Sequence, residues 1–208
     1  MSHQRYEADL RRLMAGFPTG VSVVTATAPD GVPWGMTCTS LCSVALDPPT
    51  LLVCLRRDSP TLGAVLGSGR LSVNLLHQHA RSTAELFGSG AADRFERIPW
   101  AAAPDGGPHL VEAAHTIADC VVTEDQAVGD HTIVMARVTV VTSLRSPLPL
   151  LYGMRRYGSW AEAAENGFLE VLTWTQRRNE GMRRVNERLG YTYRTVGLKM
   201  MGSVPLER

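Results

Sequence analysis

Lysine is nearly missing from this 208-residue chain: of 21 basic residues, Lys199 alone is not arginine. Twenty acidic residues oppose them, so the formal charge is +1 and the broad positive field that nucleic acid or an anionic membrane demands is absent. No apolar run approaches the roughly 20 residues of a membrane span. The four cysteines, Cys38, Cys42, Cys54 and Cys120, sit within apolar segments without a CxxC pair or a secreted framework spacing. They read as free thiols in a reducing compartment. The opening MSHQRYEADLRRLMAGF patterns as a short amphipathic helix rather than a secretory signal, so the expected location is cytoplasmic. Signatures are missing too: no GxGxxG after a strand, no GxxxxGK[ST] and no GxSxG elbow. His77, His79, His109 and His115 match no metal-ligand spacing, and no metal is expected. What remains is a soluble chain whose partner is a small molecule or a protein.

What is present is mostly strand. TGVSVVTAT leads into the turn Pro29-Asp30-Gly31, and the hairpin partner is the stretch that follows, WGMTCTSLCSVALDPP. LLVCL at 51–55, LSVNLL at 71–76 and two longer segments across 116–143 bring the β segments to six, an antiparallel barrel pattern more than a parallel sheet. Two helices interrupt them. The first is marked by Ser59 as N-cap and Pro60 at the first helical position, ending at Gly67 and Gly69. The second spans about His79 to Phe87, with Ser82 and Glu85 as a capping box. Residues 97–115, rich in Pro, Gly and Ala, form a surface-crossing loop.

Three places carry chemistry. In the Trp34–Pro49 stretch, Thr37, Thr39, Ser40 and Ser43 put hydroxyls where a half-buried strand needs only packing, either to meet a polar ring system or to face water. Arg56-Arg57-Asp58-Ser59-Pro60-Thr61 joins arginines and hydroxyls to the free N–H groups of a helix start, a natural phosphate seat, although capping alone would account for Ser59. Gly129-Asp130-His131 leaves an imidazole at a strand mouth, free to bond a carboxamide or phosphate or to serve structurally.

In order along the chain, FPTGVSVVTA, GMTCTSLCSVALDPPTLLVCLRRDSPT, GRLSVNLL, DRF, GDHTIVMARV and PLLYGMRRYGSW together resemble the short-chain flavin reductases, the reductase partners of two-component flavin monooxygenases. The resemblance covers about residues 10–160. It implies a mainly β fold with flanking helices, a six-stranded antiparallel Greek-key split barrel of the FMN-binding kind. It also implies a homodimer that reduces FAD or FMN with NADH and supplies reduced flavin to a flavin-dependent monooxygenase, as in antibiotic pathways. Carried over residue by residue, Thr37, Cys38, Thr39 and Ser40 contact the flavin, and Arg57, Asp58, Ser59 and Thr61 hold its phosphate. His131 and Tyr157 line the nicotinamide side, with Arg156 nearby.

The resemblance stops at residue 166, so 1–166 is read as the reductase domain and 167–208 as an extension. Its FLEVLTWTQRRNEGMRRVNERLGYTYRTVGLKM resembles the closing strand, helix and strand of GNAT acetyltransferases, with Asn179 or Asn186 and Tyr191 where that family meets acetyl-CoA. The pyrophosphate-binding turn that an acetyltransferase requires is missing. A flavin-binding module without catalysis, built on the same barrel, is the alternative function.

Overall fold

The computed structural model describes residues 9–145, 148–159, 170–176, 192–196 and 199–205, grouped in two compact units, Met1–Gly158 and Ser159–Arg208. In the first, α1 (Leu10–Ala15) precedes β1 (Thr19–Gly20) and β2 (Ser22–Thr27). The Pro29-Asp30-Gly31 turn forms as expected, with Gly31 at φ 86 and the Asp30 carboxylate accepting from Val32 N–H at 3.1 Å. The chain then runs through β3 (Pro33–Cys38), β4 (Cys42–Leu46), β5 (Pro49–Arg56), α2 (Pro60–Ser68), β6 (Arg70–Leu76), α3 (Arg81–Ser89), β7 (Ala114–Val128) and β8 (His131–Ser143). These seven strands, β2 to β8, form one antiparallel sheet in the order β3-β2-β6-β7-β8-β5-β4.

The stretch read as a single hairpin partner is two strands. β3 ends at Cys38, and β4 then pairs with β5, so Thr39, Ser40 and Leu41 are a corner. The sheet curls until β3 and β5 meet there without sharing a ladder. One side chain closes the seam: the Ser40 hydroxyl donates to the Cys54 carbonyl and accepts from the Cys54 N–H, both at 3.1 Å. β3 through β5 are thereby the six staves of a split barrel, with β4 appended.

Alternation along the strands divides the side chains between two cores. Val24, Val53, Leu55, Leu71, Val73, Cys120 and Val134 fill the barrel together with Leu62 and Val65 of α2. Val21, Val23 and Leu76 on the opposite face pack under Ala84 and Phe87 of α3 and Leu110. The outer face of β2, β6 and β7 also carries buried Thr25, Ser72, Asn74 and Asp119, which the 97–113 loop satisfies. Thr25 donates to the Pro108 carbonyl at 2.7 Å, Asn74 accepts from Leu110 N–H at 2.8 Å, and His109 and Ser72 both bond the Asp119 carboxylate. Only glycine fits at 107, because a Cβ there would collide with the backbone of Thr25 and Ala26.

α2 is capped as its sequence dictates: Ser59 accepts from Leu62 N–H, Pro60 opens the helix, and left-handed Gly69 (φ 66) ends it. α3 corrects the expected capping box. Its N-cap is Ala80, with no side-chain bond, so Ser82 lies inside the helix and Glu85 pairs with Arg81 at 2.8 Å. A small sheet of β1, β9 (Leu151–Gly153) and β10 (Arg156–Gly158) completes the unit.

The second unit contains β11 (Glu170–Gln176), β12 (Thr192–Val196) and β13 (Lys199–Pro205), antiparallel in the order β11-β13-β12. The expected helix, with Asn179, Asn186 and Tyr191, lies outside the described residues.

Candidate functional site

The corner at residues 39–41 adjoins the chemistry-bearing segments. On one side, β5 runs from Cys54 to Arg56 and straight into the Arg56–Thr61 motif. In the β5–β8 register Cys54 lies opposite Ile133 and Arg56 opposite His131, so the phosphate-seat motif and the imidazole share one end of the barrel. Arg57 stitches them together: its N–H donates to the Asp130 carbonyl at 3.0 Å and its guanidinium reaches the Gly129 carbonyl at 3.4 Å. β7 and β8 are joined by a two-residue turn, Gly129-Asp130, with Gly129 at φ 58, so His131 opens β8 directly.

His131 is partly exposed, and its Nδ1 lies 2.8 Å from the Asp130 carboxylate. With Nδ1–H donated there, Nε2 is left as an acceptor in the neutral ring. The contact holds the Asp130 carboxyl below its ordinary range, chiefly through this hydrogen bond.

At the helix start, the Asp58 carboxylate is taken by Arg56 in a bidentate pair at 3.2 and 2.9 Å. Ser59 spends its oxygen on Leu62 N–H and lies 3.5 Å from the Met36 sulfur. Thr61 is the residue left over. It is 2% exposed, and among the described residues nothing bonds its hydroxyl or its N–H. Buried donors without partners are rare in folded proteins and mark a place where something else binds.

The hydroxyl cluster resolves into separate jobs. Thr37 donates to the Ala84 carbonyl of α3 at 2.6 Å, and Ser40 closes the barrel seam. The Cys38 thiol is 5% exposed in the barrel core, where desolvation raises its pKa, so only its backbone remains to meet a ligand. Thr39 is exposed with its hydroxyl unclaimed among the described residues and its N–H has no backbone acceptor there, whereas the Ser40 N–H is turned to the Cys38 sulfur.

The second wall is α3 with the small sheet. Tyr157 stacks at a tilt on Tyr152, ring centres 5.1 Å apart, and the Arg81 guanidinium sits 5.9 Å above it. Burial, ahead of the neighbouring Tyr152 and Glu85, raises its phenol pKa. Thr37 therefore ties the corner to the Tyr157 wall and Ser40 ties it to the His131 wall. Arg156 is exposed on β10. Arg81 and the buried Arg94 were given no role from sequence, where arginine is too common to stand out, whereas Arg56 belongs to the phosphate-seat motif read there. Among the described residues no three His, Cys, Asp or Glu side chains gather as a metal set, and no helix is long and apolar enough to cross a membrane.

Residues 14–161 match the model of the flavin reductase like domain. The chain belongs to that family. This flavin reductase-like protein is 54% identical over 154 residues to a flavin reductase (NADPH) of Lentzea aerocolonigenes, covering 74% of this chain and 89% of that protein. It is 35% identical over 147 residues to the flavin-dependent monooxygenase reductase subunit HsaB of Rhodococcus jostii, covering 71% and 74%. Among solved structures, the NADH:FAD oxidoreductase SgcE6 of Streptomyces globisporus, in complex with NAD and FAD fragments, superposes with a TM-score of 0.67 at 29% identity, covering 72% and 89%. The split-barrel architecture is thus that of flavin reductases, as the resemblance implied.

Proposed function

We propose that this protein is an NAD(P)H-dependent flavin reductase that acts on FAD or FMN as substrate and passes the reduced flavin to a partner monooxygenase. The observation that carries the reading is the register of Arg56 against His131, which joins a phosphate seat and an imidazole at the corner where Thr39 is free. The buried, unpartnered Thr61 is the donor that such a seat supplies. With both rings bound, a hydride passes from nicotinamide C4 to flavin N5, and the protein's share is orientation and charge stabilisation.

Each residue has a part. The Thr39 hydroxyl and N–H face the edge of the isoalloxazine, where negative charge develops on reduction. Thr61, the α2 N-terminus and the guanidinium of Arg56 hold the phosphate. The Asp58 carboxylate orients Arg56, since turning a carboxylate on the phosphate would repel it. Thr37, Cys38 and Ser40 act through backbone or packing. Arg57 and Asp130 fix His131, whose Nε2 accepts from the nicotinamide carboxamide, while Tyr157 closes the opposite wall. The expected homodimer belongs to this reading, as does a cytoplasmic setting, which the free thiols support.

Loss of nicotinamide absorbance upon adding FAD or FMN to the full chain tests it directly. Multiple turnovers are expected with either flavin. Tight flavin binding without NADH or NADPH oxidation would replace the reductase by a binding module.

A further inference from the structure

Arg94 lies between α3 and the 97–113 loop, is 6% exposed, and has its guanidinium 5.7 Å from the centre of the Trp34 ring. Among the described residues no carboxylate or carbonyl accepts from it, whereas adjacent Asp93 pairs with Arg97. An arginine carries five N–H donors, and burying that charge without an acceptor is costly. Desolvation accordingly pulls its pKa below the ordinary value. The indole satisfies one face of the guanidinium and leaves its planar fork of donors unmatched.

The position of Trp34 says what the fork is for. Side chains alternate along β3: Thr37 faces α3, whereas Met36 reaches Ser59 at the α2 N-terminus. Trp34 lies on the Met36 face, about 7 Å farther along by strand rise. In chain order the strand therefore presents the stacked Arg94, then the phosphate seat, then the free corner at Thr39. A flavin mononucleotide needs only the last two.

We propose that Arg94, stacked on Trp34, binds the second phosphate of a flavin dinucleotide and makes FAD the preferred flavin over FMN. This rests on the flavin-binding reading of the α2 seat. A planar, bidentate donor pair suits a pyrophosphate oxygen pair better than a point charge does.

The test is equilibrium titration of FAD and FMN fluorescence with the full chain, without reduced nicotinamide, for wild type, Arg94→Gln and Arg94→Lys. Loss of a charge-assisted bond to phosphate should weaken FAD about 10- to 100-fold in R94Q. FMN should shift by less than about 3-fold, and R94K should fall between, because lysine keeps the charge without the fork. R94K also serves if R94Q fails to fold, as judged by circular dichroism. Equal weakening of both flavins, or of neither, overturns the assignment. So does an R94Q or R94K effect confined to the Michaelis constant of NADH or NADPH, which would give the phosphate to the nicotinamide nucleotide. Because binding is read without turnover, a wild type that binds FAD but oxidises no NADH would sink the reductase reading and leave the Arg94 comparison intact.

Discussion

Thr39→Val and Ser40→Ala remove adjacent hydroxyls from one corner, yet they should fail in different assays. Ser40 makes two bonds to Cys54 across a seam with no ladder. At about 0.5–1.5 kcal/mol for each bond, and with water able to replace part of them because Ser40 is exposed, S40A should cost about 1–2 kcal/mol. In a unit of this size that lowers Tm by about 2–8 °C. Thr39 holds nothing in the fold, so T39V should leave Tm within about 1 °C, as surface substitutions do. If its hydroxyl bonds the flavin, binding loses about 1 kcal/mol, or about 5-fold in Kd. Thermal unfolding of the flavin-free protein and fluorescence titration with FMN give both numbers for both variants. Should T39V unfold early while S40A keeps its Tm and loses flavin, the division of labour drawn from the hydrogen bonds would be refuted.

Three further outcomes are expected. Gly107→Ala must lift the loop off β2 and β6 and sever bonds from Thr25, Ser72 and Asn74, so denaturant titration should show a loss of about 3–4 kcal/mol; a loss under about 1 would mean the loop yields easily. His131→Asn should raise the Michaelis constant for NADH about 10-fold with less than about 3-fold change in FMN affinity, the worth of one hydrogen bond; equal loss of both would contradict its nicotinamide-side role. His115 is buried, and desolvation, aided by nearby His77, lowers its pKa from 6.5. A histidine held neutral contributes stability that is present above the unfolded pKa and lost as pH falls through the folded one, so unfolding midpoints should drop below about pH 6.5 and drop less in His115→Gln. An identical pH profile in that variant would assign the loss to other groups.

Local rules made much of the barrel legible. The Ser59-Pro60 start, the Gly69 stop and the Pro29-Asp30-Gly31 turn each require one residue type at one position, and the structure uses them so. The Ser82 and Glu85 pattern failed because the helix begins at Arg81, from which an i,i+4 pair to Glu85 is the shorter reach. The split of WGMTCTSLCSVALDPP into two strands was invisible for a different reason. A corner is made by partners distant in sequence, here Cys54, and no periodicity within the stretch reports them. The same holds for Asp119 and His109, whose bond under the loop joins residues that look unremarkable alone.

The hydroxyls that marked the stretch are therefore evidence of two kinds mixed together. A threonine that pins a helix, a serine that closes a seam and a threonine left free for a ligand are the same letters in a sequence, and all sit at the end of a strand where backbone donors run out of partners. A fold that leaves a barrel split creates such donors, and it must fill them with side chains, water or a ligand. Thr37 and Ser40 fill some, and the Thr39 N–H stays without a backbone acceptor beside a helix start whose buried Thr61 is open as well. The binding site is where this architecture stops satisfying itself, which is why single-residue patterns pointed to the right segment while only the bonds distinguished scaffold from site.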